Sequence, residues 1–154
     1  MQSDKYGLVA DIGATNARFA IADAGGVHDA MTLQCADHEN IVDAAEHYIK
    51  MVSANINQPK AGMIAIAGPV QGDIFEMTNH VWRFSIKETQ QRLKFDHFRV
   101  MNDFEAIAHA VPSMDAAYIE QIGGGVAQKN RTIAVVGPGT GLGVAGLIWY
   151  GDKS

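Results

Sequence analysis

The sequence predicts an α/β protein built on a mixed sheet with helices on both faces. Three observations predict it. Strand-like runs at 6–10, 19–22 and 27–35 follow one another with only short, small-residue turns between them, which reads as an antiparallel set. A nearly continuous apolar run at 61–67 suits a strand buried on both faces of a sheet, and 97–101 reads as another buried strand. Helical periodicity precedes each of these later runs, so they are expected to lie parallel and to be joined by helical crossovers.

The elements follow in order. A hairpin is expected over 7–23, turning at Ala24-Gly-Gly26, with a third strand over 27–35. Asp37 to Asn40 offer N-caps. Ile41, Val42, Ala45, Tyr48, Ile49 and Val52 then recur at helical spacing. The helix breaks at Asn55-Ile-Asn-Gln-Pro59, and the 61–67 strand ends at Gly68-Pro69. Residues 70–84 read as irregular. Ser85 with Glu88 three residues on forms a capping box for a helix over 85–93. The 97–101 strand stops at Asn102-Asp103, and Phe104, Ile107, Ala108 and Val111 share one side of a helix ended by Pro112. Residues 114–131 are mixed. Thr132-Ile-Ala-Val-Val136 and Val144-Ala-Gly-Leu-Ile-Trp-Tyr150 read as strands around the glycine-rich turn Gly137-Pro-Gly-Thr-Gly-Leu-Gly143. Strand, small-residue turn with a threonine, strand: the last segment repeats the opening one.

Composition bounds the function classes. The 154 residues have 47% hydrophobic and 19% charged side chains, as soluble globular proteins do. A net charge of −5 argues against non-specific nucleic-acid binding. Cys35 is the only cysteine, so no intrachain disulfide forms and a reducing compartment, the cytoplasm, is expected. No apolar run approaches a membrane span, and the opening Met1-Gln-Ser-Asp-Lys-Tyr6 lacks a signal-peptide pattern.

Chemistry concentrates in the opening octet, Asp11-Ile-Gly-Ala-Thr-Asn-Ala-Arg18. Gly13, followed by the small Ala14, lets backbone N–H groups approach an anion, and Thr15 and Asn16 add donors. Asp11 at the strand end is a carboxylate beside that anion site, a place for a divalent cation between them. The same residues also read as an ordinary tight hairpin. Gly141, Gly143 and Gly146 spell G-x-G-x-x-G, but the residues that follow are β-branched and aromatic and open no helix, so a dinucleotide fold is not indicated. No Walker-type phosphate loop is present. Asn102-Asp103, at a strand end before a helix, reads as a general base with an orienting amide, or as a helix cap. Thr78, Asn79 and His80 with Trp82 suit a sugar pocket, or an ordered loop anchored by Trp82. His28, His38, His47, His80, His97 and His109 show no zinc-ligand spacing. Asp73, Glu76, Glu88, Asp96 and Glu105 read as solvated, without a discernible partner.

Together, Val9-Ala-Asp-Ile-Gly-Ala-Thr-Asn-Ala-Arg18, Met77-Thr-Asn-His80 with Trp82 and Phe84-Ser85, Asn102-Asp-Phe104, and the 137–143 glycines resemble bacterial glucokinase. This is the hexokinase-like branch of the actin/Hsp70/sugar-kinase superfamily. The resemblance implies a ribonuclease-H-like (actin-like ATPase) mixed sheet. It implies transfer of the ATP γ-phosphoryl group to the 6-hydroxyl of glucose, the first step of glycolysis. Ala10, Asp11, Ile12, Gly13, Ala14 and Thr15 are similar to the family's first phosphate segment, with Asp11 acting on the metal through Mg-ATP. Gly139, Thr140 and Gly141 are similar to its second. Asn102, Asp103, Thr78, Asn79 and Gly137 are its implied sugar contacts, with Asp103 as general base. The family commonly has a second glycine where Ala14 stands, which puts phosphate affinity in question if that position needs a left-handed backbone.

The resemblance also implies partition into an α/β kinase domain (1–111), a connecting segment (112–131) and the first hairpin of a truncated second domain (132–154). The chain then resembles the amino-terminal half of such an enzyme, with weak or no turnover alone. The apolar ribbon over 132–150 is marginal by itself, so it is expected to pack against a second copy or to be poorly ordered. The alternatives are a kinase for another hexose or an amino sugar, and a non-catalytic sugar- or nucleotide-sensing domain on the same fold.

Overall fold

The computed structural model describes residues 6–54, 56–77, 81–138 and 141–150, which divide into two compact units, 1–102 and 103–154. In the first unit β1 (Gly7–Ile12), β2 (Asn16–Asp23), β3 (Gly26–Gln34), β4 (Ala61–Ile66) and β7 (His97–Asn102) form one sheet in the order β3-β2-β1-β4-β7. β1, β2 and β3 pair antiparallel, and β1, β4 and β7 pair parallel. The mixed sheet is as the sequence predicts.

Period-two alternation decides which face is covered. Leu8 and Ile12 of β1, Ala17, Phe19 and Ile21 of β2, and Ile64 and Ile66 of β4 are all buried on one face. Helix α1 (Ile41–Val52) lies against them. Every position that helical spacing assigned to its apolar side is buried, with Ala44 added. Its N-cap is Asn40, whose side chain accepts from the Val42 and Asp43 N–H groups at 2.9 and 3.0 Å. Tyr48 stacks on Phe19 at 5.4 Å and donates its hydroxyl to the Asp29 carbonyl at 2.9 Å. Burial, then the nearby Asp29, pushes that phenol up to about 12. Burying a side chain of this size is worth roughly 1.5–3 kcal/mol.

The opposite face differs from expectation. Met63 of β4 is 46% exposed, and Asp11 and Arg18 are exposed, so β4 is covered on one face of this unit, not both. β7 is an edge strand of the sheet, with His97 and Arg99 exposed where a buried strand was expected.

Within 70–84, which reads as irregular in sequence, the described residues hold two short strands. β5 (Ile74–Glu76) and β6 (Arg83–Ser85) form a short antiparallel pair leading into α2 (Ile86–Arg92). Ser85 caps α2, accepting from the Glu88 N–H at 3.1 Å. The second acceptor at this helix start is Asp73, which takes the Ser85 hydroxyl at 2.7 Å and the Lys87 N–H at 2.9 Å. Those two bonds, the Ser85 one foremost, hold the Asp73 carboxyl below its usual range. Glu76 pairs with Arg83. These two acids are therefore partnered rather than simply solvated. Both partners lie outside any local sequence pattern.

The second unit contains α3 (Asp103–Ala110) and the ribbon of β8 (Ile133–Pro138) and β9 (Leu142–Leu147). The sequence grouped 103–111 with the first domain; contacts group α3 with the ribbon. Between them run two short 3-10 turns and exposed chain. Among the described residues no helix is long and apolar enough to cross a membrane.

The far end of the β2–β3 hairpin carries a titratable clasp. The His28 ring contacts Asp29 at 2.7 Å and Asp23 at 3.1 Å, and the two carboxylates raise its pKa above 6.5. Here the pairing slips, because Asp29 and Ala30 face the single residue Ala20, and Asp29 has φ of +52°. A raised histidine pKa contributes stability fully present below 6.5 and lost as pH rises through the folded value. Urea midpoints of wild type and His28→Gln are therefore expected to differ most near pH 5.5 and to converge by pH 8.5. A gap constant with pH contradicts the clasp.

Candidate functional site

The three parallel strands end in one row. Ile12, Ile66 and Asn102 are in register, and the chain leaves the sheet at Gly13, Ala67 and Asp103. Parallel sheets place ligands outside such carboxyl ends.

The first turn, over 13–15, lies on this edge. Gly13 donates its N–H to the Asn16 carbonyl at 2.9 Å, closing the turn between β1 and β2. The N–H groups of Ala14 and Thr15 meet no acceptor among the described residues. Neither Gly13 nor Ala14 has a positive φ. The alanine in place of the family's second glycine is therefore unstrained. A Cβ on Gly13 would make only ordinary contact, 3.5 Å from the Asn16 carbonyl. Neither position needs glycine for its backbone conformation.

Asp11 pairs across the strands with Arg18, Oδ2 to Nη1 at 2.9 Å, with both side chains more than half exposed. Sequence reasoning quoted Arg18 in the motif but gave it no role. The pairing follows from register, since Asp11 faces Arg18 directly. Among the described residues no group of three or more acids, histidines and cysteines is placed to hold a metal. Asp11 thus offers one hard oxygen ligand, which suits Mg²⁺ brought in on a polyphosphate.

Asn102 donates from Nδ2 to the Gly68 carbonyl at 3.1 Å, tying the end of β7 to the loop after β4. Trp82 is 1% exposed and donates its indole N–H to the His38 carbonyl at 3.1 Å. It anchors its segment from within the core and offers no stacking face to a sugar. This decides the open question about Trp82 in favour of the anchor. Thr78, Asn79 and His80 lie outside the described residues.

In the second unit, Asp103 opens α3 and its Oδ1 accepts the Phe104 N–H at 2.9 Å. Phe104 was read as part of a helix's apolar side and of the Asn102-Asp-Phe104 segment, with no packing role assigned. Its ring fills the space above the facing glycines Gly137 and Gly143 of the ribbon. A Cβ on Gly137 would come within 2.7 Å of the ring, and one on Gly143 would fall inside it. Two of the glycines in the second turn motif therefore have a packing reason. Among the described residues, by contrast, nothing lies within 4 Å of a Cβ placed on Gly141. Gly139 and Thr140 lie outside the described residues.

Comparison with known proteins bears on this arrangement. The glucokinase family model matches residues 8–154. The chain belongs to the glucokinase family. It is 43% identical over 146 residues to the glucokinase of Cronobacter sakazakii, a match covering 94% of this chain and 44% of that protein. It is 44% identical to the bifunctional protein glk of Paraburkholderia xenovorans, covering 95% of this chain and 23% of that one. The crystal structure of a glucokinase from an Antarctic psychrotroph superposes with a TM-score of 0.88 at 37% identity, covering 97% of this chain and 48% of that one. The chain thus spans less than half the length of these relatives.

The Phe104 seat generates a double-mutant test. Gly143→Ala is expected to destabilise the second unit by about 1–3 kcal/mol through overpacking. In a Phe104→Ala background the same change is expected to cost less than about 0.5 kcal/mol, because the ring it strikes is gone. Equal costs in the two backgrounds, measured by urea denaturation, contradict the packing.

Proposed function

We propose that this chain carries the phosphate-binding and general-base residues of a glucokinase, which moves the γ-phosphoryl group of ATP to the 6-hydroxyl of glucose. The observation that carries the reading is the carboxyl edge of the sheet. A turn with unengaged Ala14 and Thr15 N–H groups stands beside Asp11, in the row that ends at Asn102. Family membership supports it.

The roles follow from the chemistry. Backbone from Ala10 to Thr15, and Gly139, Thr140 and Gly141, bind the polyphosphate through N–H groups and the threonine hydroxyl. Asp11 draws in the Mg²⁺ that travels with ATP, and that ion supplies neutralisation of the phosphate charge. Asn102, Thr78 and Asn79 orient the sugar. Gly137 contributes backbone only, since Phe104 occupies its side-chain space. Asp103 accepts the proton of the 6-hydroxyl as the O6–Pγ bond forms and the bond from Pγ to the bridging oxygen breaks, leaving ADP. The Phe104 N–H holds one Asp103 oxygen, which fixes the carboxylate and leaves its other oxygen for the hydroxyl. A buried free thiol at Cys35 fits a reducing cytoplasm.

Isothermal titration of glucose and of Mg-ATP into the chain tests the assignment. Wild type is expected to bind both. Asp103→Asn, which keeps shape and hydrogen bonding, is expected to hold glucose within about threefold. In a protein of the relatives' full length, the same change is expected to lower kcat by roughly 10²–10⁴-fold. Unchanged turnover in that variant contradicts the base assignment, and a folded chain that binds neither ligand contradicts the site.

A further inference from the structure

The first turn is held from below by one dipeptide that neither the motif nor the chemistry above uses. β3 ends at Gln34, directly opposite Asn16, and the chain then enters a 3-10 turn at Cys35, which is fully buried. Three bonds run from this dipeptide into the turn. The Cys35 N–H donates to the Thr15 carbonyl at 2.9 Å. The Cys35 thiol donates to the Gly13 carbonyl at 3.4 Å. The Gln34 side-chain amide donates to Asn16 Oδ1 at 2.8 Å. We propose that Gln34 and Cys35 are positioning residues for the phosphate turn, aiming its donors outward by capturing its acceptors. The inference rests on the reading of this turn as the phosphate site.

The physical reason lies in the planar trans peptide, in which a carbonyl and the following N–H point in opposite directions. With the Gly13 carbonyl held toward the buried thiol, the Ala14 N–H is directed away from the core. The amide of Asn16 obeys similar logic. Gln34 satisfies its oxygen, which leaves both Nδ2 hydrogens without a partner among the described residues. Burial raises the Cys35 pKa, so the sulfur keeps the proton it donates. An unbraced turn would let these peptides rotate, and ordering them would count against phosphate binding.

The test combines hydrogen exchange with titration, using the 154-residue chain and its Gln34→Met, Cys35→Ala and Cys35→Ser variants. Gly13 and Cys35 supply the amides that report on the turn, since both are bonded within it. In Gln34→Met and Cys35→Ala these amides are expected to exchange roughly fivefold faster, the effect of losing one hydrogen bond, with β1, β2 and β4 unchanged. Mg-ATP affinity is expected to fall by a similar factor while glucose affinity holds. Cys35→Ser, which keeps a donor, is expected to return both to within about twofold. Unchanged turn exchange in folded variants overturns the proposal, as does a loss of protection spread evenly through the sheet. So does faster turn exchange with unaltered Mg-ATP affinity. If wild type takes up no Mg-ATP while turn exchange still responds, the phosphate reading fails and the brace stands.

Discussion

The parallel pairing of β1 with β4 is the constraint on which the site depends. Gly7 faces Ala61 and Ile12 faces Ile66, and β7 continues the register to Asn102. A slip of one residue would turn Leu8, Ile12, Ile64 and Ile66 out of the core, so burial of these four fixes the alignment. The same alignment ends all three strands at one level. The 13–15 turn, the Gly68 carbonyl and Asn102 thereby come to one edge, where the bond from Asn102 to Gly68 ties two of them together. Hydrophobic burial on one face of the sheet builds the polar edge.

Much of this fold is legible in the sequence, for reasons that particular elements show. α1 was readable because six of its seven buried positions recur at helical spacing and Asn40 caps it. The first three strands were readable because their turns are short and local. The structure departs from the reading where a partner is distant in sequence. β5 and β6 are three residues each, too short for a periodic pattern. Asp73 caps α2 from twelve residues before Ser85. Met63 was taken as buried because an apolar run cannot show by itself which of its faces is covered.

The candidate site was legible in its parts and less so in its supports. Asp11, the 13–15 turn and the Asn102-Asp103 pair are strand-end residues, recognisable by type and spacing. Arg18, Gln34, Cys35 and Phe104 act through register, a buried bond or a ring seated on glycine. Gly137 and Gly143 show the ambiguity of glycine in a sequence. Both looked like parts of a phosphate turn, and both make room for Phe104. Ala14 shows the reverse. It looked like a flaw in the turn, yet its backbone angle is one that alanine adopts freely.

On the proposed reading, what this chain contributes to catalysis is preorganisation. Phosphoryl transfer asks for positioning and charge neutralisation more than for covalent chemistry. A turn whose donors are already unengaged binds phosphate without breaking internal bonds first. Amide chemical shifts test this most directly, followed in the folded chain as Mg-ATP is added. The account predicts that the largest shifts fall on Ala14 and Thr15, with Asn16 Nδ2 moving alongside and the β3–β2 hairpin end at His28 unmoved. Saturating Mg-ATP that leaves Ala14 and Thr15 in place, or that moves only residues away from the carboxyl edge, contradicts it.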